Sequence, residues 1–95
     1  MLENLENEID LLKRHLTVLK LVIENEPIGI VKLSELSGIP QHKVRYSLRV
    51  LEHRGLIKPS FQGAITTKKT KPYLNKLEQK LKHISKELSQ LQKIL

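Results

Sequence analysis

Residues 31–57 read VKLSELSGIPQHKVRYSLRVLEHRGLI, and their order of helix, turn, helix and stop decides the fold. Leu33 and Leu36 mark the inner face of a brief helix, and Gly38 supplies the left-handed backbone that ends it. Ile39 fills the turn. Pro40 sits where its fixed φ helps begin the next helix. That helix is expected from about Gln41 to Arg54, with Val44, Leu48 and Leu51 turned inward at i, i+4, i+7 spacing. Gly55 stops it. Two strands follow, Leu56–Lys58 and Ala64–Thr67, joined through Pro59-Ser60-Phe61-Gln62-Gly63. Two helices with a tight glycine turn, then a hairpin, make a winged helix-turn-helix.

Outward from this core the chain carries two matching stripes. Leu2, Leu5, Ile9, Leu12, Leu16, Leu19 and Ile23 follow an unbroken alternation of three- and four-residue steps. The spacing predicts one helix over 2–24, closed by Asn25 and Pro27. Val18, Leu21 and Val22 widen the apolar face of its second half, which places that half in the core. Leu74, Leu77, Leu81, Ile84, Leu88, Leu91 and Leu95 repeat the pattern, giving a last helix over 72–95. Its span of roughly 30 Å exceeds what a small winged-helix core can cover. Pairing of the two ends as a coiled coil, within a chain or across a homodimer, is the economical solution. The dimer seam expected on this reading is Leu2, Leu5, Ile9, Leu74, Leu77, Leu81, Ile84, Leu88, Leu91 and Leu95. The architecture expected is mainly α with a small β-hairpin wing, flanked by long heptad-patterned helices, as a single domain over 1–95 with its core about 8–67.

Composition narrows the function classes. The 95 residues carry a formal charge of +7, and no cysteine is present to form a disulfide or a thiolate metal site. The surplus points to a polyanionic partner. It is unevenly placed: Glu3, Glu6, Glu8 and Asp10 crowd the first twelve residues, while eight lysines lie in 68–95. No apolar run approaches the ~20 residues that span a membrane. A cytoplasmic, nucleoid-associated protein without membrane contact is therefore expected. His15, His42, His53 and His83 are scattered over separate elements, without paired metal-ligand spacing, and no glycine-rich phosphate loop is present. The expectation is no enzyme, no cofactor, no metal and no evident small-molecule effector.

With Val44, Leu48 and Leu51 inward, a turn of 100° per residue sets His42, Tyr46, Arg49 and His53 on the opposite face. Arg45 flanks that face and Gln41 opens the helix beside the turn. Arginine can pair bidentately with guanine and glutamine with adenine, so this set suits reading in a major groove. Lys43, Arg54 and Lys58 at the margins suit phosphate contacts. Gln62 stands near the wing tip, with Lys68 and Lys69 flanking the hairpin for backbone or minor-groove contact. Phe61 is expected to cover the hairpin's own base.

Residues 33–57, LSELSGIPQHKVRYSLRVLEHRGLI, together with the GAITT hairpin, resemble small archaeal winged helix-turn-helix transcriptional regulators. The likeness spans about Glu8 to Thr67. It implies that Gln41, His42, Arg45, Tyr46 and Arg49 contact bases, that 58–69 forms the wing, and that terminal helices build a homodimer. The leading expectation is thus a DNA-binding regulator, dimeric on a pseudo-palindromic site with half-sites about 34 Å apart. Two readings stand beside it. One is a winged-helix protein-interaction module whose long ends dock on another factor. The other is a weakly specific, chromatin-like DNA-coating protein.

Overall fold

A computed structural model describes residues 1–95. The chain forms α1 (Glu3–Asn25), α2 (Ile30–Ser37), α3 (Gln41–His53), β1 (Ile57–Ser60), β2 (Gly63–Thr66) and α4 (Thr70–Ile94). This is a mainly α architecture with one antiparallel hairpin, a winged-helix-like topology. No helix is long and apolar enough to cross a membrane.

The core lies where α1, α2, α3 and the hairpin meet. Val18, Leu19 and Val22 from the second half of α1 pack with Leu33, Val44, Leu51, Leu56 and Ile57. Leu33 is fully buried, but Leu36 is exposed, so α2 contributes one leucine rather than the two its sequence suggests. Gly38 closes α2 at φ 73°, and its N–H donates to the Ser34 carbonyl at 2.9 Å. Pro40, extended at φ −57° and ψ 146°, is the residue that caps α3 rather than its first helical one.

The inward row of α3 also differs. Val44, Ser47 and Leu51 are buried, whereas Leu48 is only half-buried. α1 crosses α3 on the Ser47 side, and the serine meets it through a 2.8 Å hydrogen bond to His15 Nδ1. A serine at the centre of a helix interface is invisible to hydrophobic periodicity. The helix is therefore turned from the orientation that Val44, Leu48 and Leu51 imply.

The hairpin is longer and tighter than the sequence suggests. Ile57 pairs with Thr66 and Ser60 with Gly63, so only Phe61 and Gln62 form the loop. Pro59 is tolerated inside β1 because that strand is an edge, where no ladder N–H is required. The opposite edge of β2 is closed by Ile28, whose N–H and carbonyl both bond to Ala64, at 3.2 and 2.7 Å. Glu26 reinforces this join: its carboxylate accepts from the Thr66 N–H and hydroxyl at about 3 Å. Thr70, buried at the start of α4, donates its hydroxyl to the Leu56 carbonyl at 2.7 Å and anchors that helix to the core.

Gly63 is where backbone meets backbone. Its φ is +133°, and a Cβ there would lie 2.5 Å from the Ile28 carbonyl carbon. Both the left-handed strain and the clash oppose any side chain. Gly63→Ala should lower the unfolding free energy in urea by roughly 3 kcal/mol or more. Gly29→Ala, where no atom lies within 4 Å of the added carbon, should cost under about 1 kcal/mol.

Candidate interaction surfaces

α3 presents three sides outside the core, and the residues expected to read DNA are divided among them. Tyr46 turns toward α1, its ring 5.8 Å from the His15 ring and 5.6 Å from the Arg14 guanidinium carbon. Gln41 and Arg45 line a groove shared with the first turn of α2 and with the hairpin. His42, Lys43, Arg49, His53 and Arg54 are exposed, with Arg49, His53 and Arg54 beside Val50 around a shallow surface hollow. On the hairpin side Lys58, Gln62, Lys68 and Lys69 are exposed. Phe61 is 104% exposed at the loop tip and does not cover the hairpin base. A two-residue loop projects it away from the sheet.

The Tyr46 side is an electrostatically defined contact. His15 is held below its ordinary value of 6.5, first by burial and then by the positive charges of Arg14 and Arg54. The neutral ring can accept the Ser47 hydroxyl proton, and Arg14 lies over the face of Tyr46 as a cation–π pair. α1 thereby occupies the side of α3 on which the sequence placed one of its groove-reading residues.

The second surface is built by the helix ends. Tyr73 in the first turn of α4 lies by Leu11, Leu12 and His15, while the last turns of α4 lie by Leu2 and Leu5. α4 therefore runs back antiparallel to α1, and the outer ends of the two heptad stripes lie beside each other within one chain. They do not cover one another completely. Leu5, Ile9, Leu81, Ile84 and Leu88 keep about two-fifths of their surface in water, and Leu91 keeps 56%. Near the open end the two helices frame a trough of about 760 Å³, lined by nine residues from Leu2 to Leu95, none of them charged. The lysines of α4 lie outside this lining. Leu74 and Leu77, nearer the core, are half-buried.

No family model matches the chain, and no curated protein is similar to it in sequence. Among solved structures it is similar to the activation domain of the phage T4 transcription factor MotA. That likeness has a TM-score of 0.60 at 21% identity, covering 78% of this chain and 80% of that one. The shared feature is the fold.

This finding corrects the expectation of a dimeric DNA-binding regulator of the archaeal type. A solved structure with this architecture is the activation domain of a transcription factor, not its DNA-reading part. Gln41, Arg45, Tyr46 and Arg49 are all exposed on α3, with Gln41 and Arg45 bordering the groove beside α2 and Tyr46 beside His15 and Arg14. The outer ends of the two terminal stripes lie beside one another within the chain, one of the two pairings that their spacing allows. No three His, Cys, Asp or Glu side chains converge on a metal site, and no catalytic cluster is present.

Sequence reasoning missed the His15–Ser47 bond and the Glu26 clamp. The first had one signal, a polar residue one step off the inward row of α3; the second had none, since Glu26 and Thr66 lie forty positions apart. Ser47→Ala should cost about 1 kcal/mol in urea unfolding, because it leaves the half-buried His15 ring nitrogen without its protein partner. Because the folded state holds His15 below its unfolded value, stability is complete above pH 6.5 and falls as pH drops from there through the folded value. His15→Gln should flatten the decline in unfolding free energy as pH falls below about 6.5.

Proposed function

We propose that the protein is a winged-helix protein-interaction module that docks through the open ends of α1 and α4. The observation that carries this reading is the uncharged trough between Leu2, Leu5 and the last turns of α4, on a chain whose remaining surface is densely charged. Leucines left with about half their surface in water gain stabilisation only when a partner covers them, at roughly 25 cal/mol per Å². A helix with an apolar face is the natural occupant of a seam framed by two heptad stripes. The fold likeness to an activation domain supports a partner within the transcription apparatus.

The seam residues take their place in this proposal. Leu2, Leu5, Ile9, Leu81, Ile84, Leu88, Leu91 and Leu95 form the docking face, with Leu74 and Leu77 joining it to the core. The winged-helix part of the chain holds the two ends at a fixed angle, so that the seam stays open for another protein.

The double variant Leu88→Lys, Leu91→Lys should remain folded, since both side chains are already partly in water. It should weaken binding to purified RNA polymerase from the source cell at least about tenfold in biolayer interferometry. Selection from a random duplex pool at physiological salt should return no consensus. Unchanged polymerase binding by the variant, no binding by the native chain, or a sharp DNA consensus would each defeat the proposal.

A further inference from the structure

The groove beside Leu48 is a different surface from the terminal trough. Its walls are the row Gln41, Arg45, Leu48 and Glu52 along α3 and the first turn of α2, with Ile57 and Ala64 among the residues between them. The space is about 710 Å³ and opens to solvent. Its existence depends on the backbone join of Ile28 to Ala64, which fixes the hairpin relative to the start of α2. Phe61, the chain's one phenylalanine, stands fully in water on the loop that continues the groove's hairpin wall. An aromatic ring held out beside an apolar groove costs stability in the isolated chain, and aromatic side chains are enriched as anchors at interfaces.

The charge pattern says what the groove accepts. Lys32 from α2 and Arg45 from α3 both line it, and Lys32 also stands 4.0 Å from Glu35 in an open, solvent-exposed pair that a second carboxylate can join. α2 begins at Gly29 with no side-chain cap, so the positive end of that helix adds to the two cations. Glu52 is the one carboxylate in the lining and lies two turns of α3 beyond Arg45. The basic end therefore favours carboxylates, while Val31, Leu48 and Ala64 favour apolar side chains.

We propose that this groove receives an acidic amphipathic helix of a protein partner. Apolar side chains at i, i+3 and i+4 pack on Val31, Leu48 and Ala64, the partner's carboxylates face Lys32 and Arg45, and Phe61 closes over the bound helix. The inference rests on the reading of the chain as an interaction module but on separate residues. A chain could therefore use one surface without the other.

Titration of the isotope-labelled full chain with a synthetic amphipathic helix, Leu and Phe on one face and Glu elsewhere, tests this by NMR. Saturable shifts are expected at Ile30, Leu48, Phe61 and Ala64. Phe61→Ala and Arg45→Glu should each weaken affinity at least about tenfold. Phe61 is entirely exposed, so its removal leaves the fold intact. The Leu88→Lys, Leu91→Lys variant should bind this peptide as the native chain does, which separates failure here from failure of the terminal docking face. Four results overturn the proposal: shifts confined to the α4 lysines, equal binding of a peptide with Lys in place of Glu, no effect of Phe61→Ala, or concentration-dependent shifts of the groove without peptide. Displacement of the peptide from the groove by a short DNA duplex would overturn it as well.

Discussion

Nine buried apolar side chains, all gathered where three helices meet a hairpin, hold this chain together, and helices of 23 and 25 residues must share that core. The core reaches only the second half of α1 and the first turns of α4. Beyond it the two helices continue antiparallel with only each other for cover. Two single helices side by side cannot enclose a wide apolar stripe, because each can bury only the flank facing its neighbour. The outer leucines consequently keep water contact that a third or fourth helix would remove. The open seam is a geometric consequence of where the core ends.

The same core sets the rotation of α3. Packing α1 on the Ser47 side needs a small residue at the crossing, and the His15 hydrogen bond satisfies the hydroxyl that is buried there. This polar pair turns the helix away from the orientation that its leucines suggest. Tyr46 is thereby drawn onto Arg14 and His15, while Arg45 moves toward α2. Two parts of the outer face of α3 thereby acquire different neighbours, α1 beside Tyr46 and α2 with the hairpin beside Arg45.

The hairpin contributes through its backbone more than through its side chains. Ile28 adds a third backbone segment to β2, Gly63 permits the close approach, and Glu26 ties the far end of β2 to the end of α1. With β2 held on both edges, the short sheet becomes a rigid wall rather than a swinging wing. Phe61 and the apolar groove beside it take their positions from that wall.

Much of the architecture was legible in residues 31–57 and in the two heptad stripes. Helix spacing is a local property, so the four helices, the glycine stop at Gly38 and the hairpin could be read from pattern alone. Leu36 and Leu48 show the limit: periodicity says which residues are apolar, not which neighbour will arrive to cover them. The charge surplus pointed toward nucleic acid, yet charge describes a surface and not the shape into which it is folded. The sequence by itself determined the elements, their order and two leucine stripes too long for the core. Only the tertiary structure decided that the outer ends of these stripes lie together within one chain, that Ser47 rather than Leu48 faces α1, and that Arg45 borders an apolar groove. Each of those outcomes depends on contacts between residues far apart along the chain, where no local spacing carries the information.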